Sequence, residues 1–486
     1  MSFDSQTEIP LRLDARDVPQ WDHSADVVVV GFGCAGASAA IEASRAGARV
    51  CVLEVAGGPG GTSALSGGLV YLGGGTPIQR ACGFEDSTDD MFRYMMAACG
   101  PDPDEAMIAA YCEGSLEHFD WLDACGVPFR ASFFPDAHEP FETDDGLTYS
   151  GSEHVHPFCE IARPAPRGHI PRKVRNKGGL LMQHLVATAE AAGIEVHTGT
   201  KVMALVVEGD GRIVGVVARQ ADGVCCVQAR RGVVLTAGGF VYNEDMLAAY
   251  APTLSRCRFK VGTEYDDGSG IRLGIAAGGH AIRMGAGDIS LALFPPNDLR
   301  RGLFVNRFGQ RFLNEDAYMG RAGEFFLLHQ EGRGWLIVDD AVFQQPKFFP
   351  AAVAAVGDTV AELEAELGLP APCLQDTVAL YNRYAERGED PLFHKGAGYL
   401  QPLTEPPFGA IDLGTDAAMY SVFTLGGLHI DPDGRVLRAA GEPVPGLYAA
   451  GRTTSGIAKQ GYSSGMSLGD ASFFGRRAGL HAAGSA

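Results

Sequence analysis

The segment "ADVVVVGFGCAGASAAIEASRAGARVCVLE", from Ala25 to Glu54, constrains this chain more than any other. Val27 to Val30 is an unbroken apolar run, the pattern of a strand buried on both faces. Gly31, Gly33 and Gly36 follow in G-x-G-x-x-G spacing, then an Ala- and Ser-rich helical stretch, then a second apolar run, Val50 to Leu53. Glu54 closes the unit, 23 residues after Gly31. Strand, glycine turn, helix, strand and acid in that order predict a βαβ unit that holds a dinucleotide. The glycines let backbone approach a pyrophosphate at a helix N-terminus, and the acid reaches a ribose hydroxyl. Gly31, Gly33, Ala35, Gly36 and Glu54 are the first candidate cofactor contacts.

The next stretch, "AGGPGGTSALSGGLVYLGGG" (Ala56 to Gly75), leaves little room for an ordinary crossover helix. Its glycines and hydroxyls suit backbone pressed against an extended cofactor, which adds Gly61, Thr62, Ser63, Ser66, Gly67 and Gly68. "RRGVVLTAGGF" reads as a second buried strand, ending in Ala237-Gly238-Gly239. "VPGLYAAGRTTSG" reads as a third, ending in Ala450-Gly451-Arg452.

Together these segments resemble the flavoproteins of the fumarate reductase and 3-ketosteroid dehydrogenase group, over nearly the whole chain. The resemblance implies FAD, with the three segments at the AMP half, the adenine side and the ribityl–flavin half. It places Val202, Ala237, Gly238, Gly451, Ser467 and Leu468 at the cofactor. Arg452 departs from the pattern, since many relatives have Glu there. Covalent attachment in such proteins needs a nucleophile, often a His in the glycine-rich stretch. "GGTSALSGG" has none, so the resemblance implies non-covalent FAD. The implied fold is α/β. A Rossmann-like FAD-binding domain, discontinuous over 1–285 and 424–486, would carry an inserted α+β substrate domain over 286–423.

Between the motifs, Phe84 to Val127 reads as two or three amphipathic helices. Ala131 to Lys177 reads as a proline-broken loop over cofactor and substrate. His138, His154, His156 and His169 lie in it at irregular spacing, so no metal site is expected. Lys177 to Ala218 predicts a helix, a strand and a hairpin turning at Asp210-Gly211. Thr359 to Phe393 has helical periodicity with a proline break. The 11 cysteines form no ligand pattern, and Cys225 and Cys226 are adjacent. Buried reduced thiols are expected, and with no cysteine clusters for an iron–sulfur relay the electron acceptor is external. A formal charge of −20 repels phosphate backbones, which argues against a nucleic-acid partner. No run reaches the length of a membrane span and the first residues lack a signal peptide's apolar stretch, so a cytoplasmic protein without stable membrane insertion is expected.

Substrate choice rests on the resemblance. Fumarate reductases hold a dicarboxylate with a His and an Arg at positions that read Ala458 and Tyr462 here. Their catalytic Arg falls at Met319, with Arg321 two residues on. The dicarboxylate clamp is therefore missing. In 3-ketosteroid dehydrogenases a Tyr follows an Asn-Glu pair, which is Tyr318 here, and another near the C-terminal glycines holds the ketone oxygen, which is Tyr462. The Tyr-x-Ser pattern of Tyr462 and Ser464 resembles the 3-ketosteroid Δ4-(5α)-dehydrogenases. In those enzymes the Ser accepts the C4 proton, a Tyr assists it, and flavin N5 takes the 5α-hydride. Tyr318, Tyr462 and Ser464 are thus the expected catalytic residues, and an apolar 3-ketosteroid the expected substrate. Three alternatives stand beside this. A 1,2-dehydrogenase would use a second Tyr where Phe119 or Tyr111 stands. An enone reductase would run in the opposite direction, and an electron-carrying subunit would have no substrate of its own. Phe294, Phe325 and Phe326 near Tyr318 favour a bulky apolar substrate. For Ser463 and Ser464 the competing role is capping of the helix that begins near Met466 to Leu468.

Overall fold

The structure is a computed structural model, described over residues 9–136 and 142–484. His138, Pro140 and the first eight residues lie outside that range. The apolar runs form the centre of a nine-stranded sheet. Five strands run parallel in the order Glu195–His197, Val50–Leu53, His23–Val30, the second half of Gly223–Leu235, and Pro443–Ala449. Val27, Val28, Val29 and Val52 are fully buried, as a strand covered on both faces requires. The register does more than join strands. Val30 lies beside Leu53 and Leu235, and Leu235 lies beside Ala449. The three glycine-tipped strands therefore end at one level, and their loops emerge together at the carboxyl edge of the sheet, where open α/β sheets bind ligands.

The helix Cys34–Arg45 packs against the C-terminal helix Met466–Gly484. A Cβ on Gly475 or Gly479 would lie 2.5 Å and 2.1 Å from the carbonyl oxygens of Ala35 and Ala39, so only glycine permits this approach. The crossover after Val50–Leu53 is a five-residue helix, Gly61–Leu65. Lys201–Val207, Ile213–Gln220 and the first half of Gly223–Leu235 form the antiparallel extension of the sheet. Its first turn contains Gly211 at φ +88°.

Phe84 to Val127 contains three helices, Thr88–Ala98, Glu105–Glu113 and Ser115–Ala124. The expected loop over Ala131 to Lys177 needs correction. Phe133–Phe134, Leu147–Thr148 and Gly168–His169 pair with Val70–Tyr71 in a four-stranded sheet. Two-residue strands are too short to show alternation, and the prolines between them dominate the sequence signal.

Gly287–Leu291 runs antiparallel to Tyr420–Thr424, so the chain enters and leaves the 286–423 region side by side. Phe259–Lys260, which precedes the expected boundary, pairs with the other edge of Tyr420–Thr424, so this sheet straddles that boundary. A second antiparallel sheet is ordered Leu303–Val305, Trp335–Val338, Phe408–Asp412, Val353–Gly357. Helices Val360–Glu366 and Cys373–Ala385 flank Pro370 and Pro372. Below Tyr318, buried Glu315 receives Arg311 at 2.9 Å and Lys395 at 3.0 Å, and Arg311 also binds Asp390 at 2.8 Å. This buried cluster fixes the segment that carries Tyr318.

Candidate active site

A cavity of ≈ 820 Å³ opens along the carboxyl edge of the parallel strands. Gly31, Gly33, Ala35, Glu54, Gly61, Thr62, Ser63, Ser66, Gly67, Gly68, Val202, Ala237, Gly238, Gly451, Ser467 and Leu468 all line it. Gly31 adopts φ +99°, and a Cβ there would sit 2.6 Å from the Thr236 carbonyl oxygen. At Gly33 an added Cβ meets nothing nearer than Ser63 Oγ at 3.4 Å, so the space beside it belongs to the cavity. Gly36 is the exception among the expected contacts. It does not line the cavity, and its Cβ would lie 2.0 Å from the Gly31 carbonyl oxygen. Its part is close packing of helix on turn.

The donor set suits a dinucleotide. The helix Cys34–Arg45 begins at Gly33, and Gly33, Cys34 and Ala35 line the cavity, so its positive end faces it, with Ser63 Oγ accepting the Cys34 N–H at 3.1 Å. Glu54 accepts N–H bonds from Phe32 at 2.6 Å and Ala56 at 2.8 Å, and burial pushes its pKa up. Two polar groups on the wall await an occupant. Ser467 Oγ and Arg452 Nη1 are buried and have no protein partner. Buried donors of this kind call for a hydrogen-bonding ligand. The residues present therefore fit FAD.

One feature of this wall escaped the sequence reading. Asp266 accepts two bonds from Arg452 Nη2, both 2.9 Å, one from Thr62 Oγ1 at 2.6 Å and one from Gly239 N–H at 3.0 Å. Arg452 is thus balanced by a carboxylate from another segment. With 186 residues between them, no local pattern could announce the pair.

Tyr318, Tyr462 and Ser464 reach the same cavity from two directions. Tyr318 precedes the short helix Met319–Glu324, and Tyr462 and Ser464 precede Met466–Gly484. The Tyr318 hydroxyl and Ser464 Oγ are 2.8 Å apart. The Tyr462 oxygen accepts the Ser467 N–H at 3.2 Å, and its ring stands edge-on to Phe423 with centroids 5.4 Å apart. Ser150 to Ser152 braces both sides. Ser152 Oγ accepts the Tyr318 N–H at 3.1 Å, and the Ser150 carbonyl accepts the Ser464 N–H at 2.8 Å. The neighbouring Ser463 Oγ pairs with Tyr94 at 2.8 Å. A Cβ on Gly151 would lie 2.1 Å from Ser463 Oγ, so glycine is required there.

Alternation in two paired strands supplies the remaining wall. Asp288 and Ser290 on one strand, with Ser421 and Phe423 on the other, face the cavity, followed by Ala292 and Met419. The aromatic side chains differ from expectation. Phe294 lines the cavity, but Phe326 is buried against Phe304 and Phe312, and Phe325 lies under Arg321. Helical spacing turns both away from the side on which Tyr318 opens. Met319 is at the wall, whereas Arg321 is held over the rings of Phe158 and Phe325 at 5.1 Å and 4.7 Å. Ala458 borders a separate small pocket.

Neither Phe119 nor Tyr111 lines the cavity. Phe119 packs on Phe129 and His169, and the Tyr111 hydroxyl donates to the Tyr71 carbonyl. Cys34 does line it, but burial pushes its thiol up to about 12. His154 packs at a tilt against Tyr149, His156 stacks on His394, and His169 bonds Thr76, so these three histidines have separate partners. Among the described residues, no helix is long and apolar enough to cross a membrane.

A family model described as FAD binding domain matches residues 26–468. The 3-oxo-5-alpha-steroid 4-dehydrogenase of Comamonas testosteroni is 32% identical, over 91% of this chain and 95% of its own. The crystal structure of a 3-ketosteroid-delta4-(5alpha)-dehydrogenase from Rhodococcus jostii RHA1, in complex with 4-androstene-3,17-dione, is 46% identical. It superposes with a TM-score of 0.93 over 98% of this chain and 100% of its own. A fumarate reductase (cytochrome) of Shewanella frigidimarina is 28% identical over 94% of this chain and 77% of its own.

Proposed function

This chain belongs to the family of flavoproteins with an FAD-binding domain, and from that premise we propose that it is a 3-ketosteroid dehydrogenase introducing a double bond between C4 and C5. The observation that carries this reading is the 2.8 Å contact between Tyr318 and Ser464 in the cavity that also takes Tyr462. When bound, FAD supplies the acceptor for the hydride that leaves C5.

The protein's own residues handle the proton. A ketone at C3 acidifies the C4 protons because the resulting enolate places its charge on oxygen. Tyr462 donates its hydroxyl to that oxygen, and the Ser467 N–H holds the phenol in position. A preorganised donor of this kind is worth about 10²–10³ in rate. Ser464 Oγ takes the C4 proton as its own hydroxyl proton passes along their hydrogen bond to Tyr318, which enters the step as the phenolate and leaves it as the neutral phenol. A tyrosine, with an ordinary pKa of about 10, is a better participant than an isolated serine. The C4–H electron pair becomes the new double bond, and proton and hydride together account for the two-electron oxidation.

Glu54, the Gly31 turn, Thr62, Ser63 and Ser467 would hold the cofactor without a covalent bond. Among the described residues no histidine lines the cavity, and Cys34 is too poor an acid to serve as nucleophile. We assign 286–423 as the substrate domain inserted between 1–285 and 424–486. The electron acceptor is external, and eleven unpaired cysteines fit a reducing, cytoplasmic setting. The 4,5 position is favoured over 1,2 because Phe119 and Tyr111 are both committed to packing outside the cavity.

The test is anaerobic mixing with a 5α-3-ketosteroid and identification of the product. Flavin bleaching with a 4-en-3-one product is expected, and Tyr462→Phe should slow bleaching about 10²-fold with FAD still bound. A 1-ene product would move the chemistry to the other side of the ketone.

A further inference from the structure

We propose that the mouth of the cavity docks on the surface of an anionic phospholipid membrane, so that substrate enters from lipid rather than from water. The proposal rests on the reading of the substrate as apolar. Its physical basis is a rim of large apolar side chains that stay partly exposed. Val174, Phe259, Phe348 and Phe349 line the cavity and are nevertheless 47%, 48%, 43% and 38% exposed, which places them at its opening. The rings of Phe259 and Phe349 come from distant segments and lie 6.5 Å apart, so these two segments meet at the rim. Contiguous exposed apolar surface of this kind marks an interaction site.

The charges beside these tips select the partner. The rim is built from Lys173-Val174-Arg175, Arg258-Phe259-Lys260 and Lys347-Phe348-Phe349, which carry five cations and no acid. The chain as a whole has 59 acids against 39 bases, so an excess of cations here runs against its overall charge. Three acids face these cations. Glu142 pairs with Lys347 at 2.6 Å, Asp416 with Arg258 at 3.6 Å, and Glu244 with Lys260. The acids are 59%, 100% and 73% exposed, so these pairs are weak and exchangeable for lipid phosphates. Apolar tips flanked by Lys and Arg suit a bilayer interface, with the tips in the acyl boundary and the cations at the headgroups. A docked protein would seal the opening, whereas a bilayer is itself a reservoir of apolar substrate.

Flotation of the flavin-loaded protein with vesicles tests this, with no steroid present. Vesicles of equal parts phosphatidylcholine and phosphatidylglycerol should carry the protein, and pure phosphatidylcholine should carry less. Phe348→Ser with Phe349→Ser should reduce flotation at least about tenfold, with the flavin spectrum certifying the fold. If that pair loses flavin, Lys173→Glu with Arg258→Glu tests the charges and should weaken binding most at low salt. Absence of flotation with either vesicle overturns the proposal. So does flotation indifferent to both variant pairs, or a dimer that Phe348→Ser dissolves. Because no turnover is involved, failure here leaves the dehydrogenase reading intact, and an inactive steroid assay leaves this measurement standing.

Discussion

The hydroxyls of Tyr318 and Ser464 lie 2.8 Å apart although 146 residues separate them in the chain. Each is held from behind by the same short segment, through Ser152 Oγ and the Ser150 carbonyl. The pair is a unit, and it should behave as one. Ser464→Ala and Tyr318→Phe are each expected to slow flavin reduction by about 10²–10⁴-fold. The double variant should be little slower than the worse single one, since both changes cut one proton path. Stopped-flow bleaching at saturating steroid measures this. A Ser464→Ala rate within about threefold of wild type, or about 0.65 kcal/mol in the barrier, would remove the serine from the reaction.

The cofactor wall makes a prediction about attachment. Among the described residues no histidine is on the cavity wall, and the Cys34 thiol there is pushed up to about 12, so a covalent bond to flavin is not expected. Acid precipitation of the yellow protein should leave all flavin in the supernatant, as intact FAD. Fluorescence that stays with the pellet would contradict this.

Dicarboxylates should neither react nor compete. Met319 and Ala458 offer no charge, and Arg321 is held between two aromatic rings outside the cavity. Succinate should leave the flavin oxidised, and fumarate should not reoxidise the reduced enzyme. Succinate-dependent bleaching would mean that another cation, Arg452 first among them, restores the clamp.

Asp470 gives a pH signature in stability. It is buried on the C-terminal helix, accepts the Ile457 N–H at 3.2 Å, and burial pushes its pKa up to about 7 from 3.8. Between those values the folded state keeps a proton that the unfolded state has released. Its stabilising contribution is therefore complete below about pH 4 and is lost as pH rises through about 7. Asp470→Asn keeps an acceptor for Ile457 and removes the titration. The advantage of wild type over variant should shrink by up to about 4 kcal/mol from pH 4 to 8. Thermal unfolding of both proteins across that range checks it, and parallel curves would refute it. Glu324, also pushed up to about 7, titrates in both proteins and cancels in the comparison.

The βαβ unit was legible in the sequence because its causes are local. Val27 to Val30, the spacing of Gly31, Gly33 and Gly36, and Glu54 at the next strand end all act within one turn-helix-strand unit. That Ala458 and Met319 carry no charge was legible too, whatever surrounds them. What only the tertiary structure decided is which distant residues meet. The common ending of Val30, Leu53, Leu235 and Ala449 is set by strand register, and register depends on partners that no single strand encodes. The same holds for Asp266 balancing Arg452, for Phe326 turning into the core and Phe349 out to the rim. Local sequence fixes a side chain's chemistry and its secondary structure. Burial, partner and exposure follow from packing between segments, and that is where the Tyr318–Ser464 contact and the cavity mouth were made.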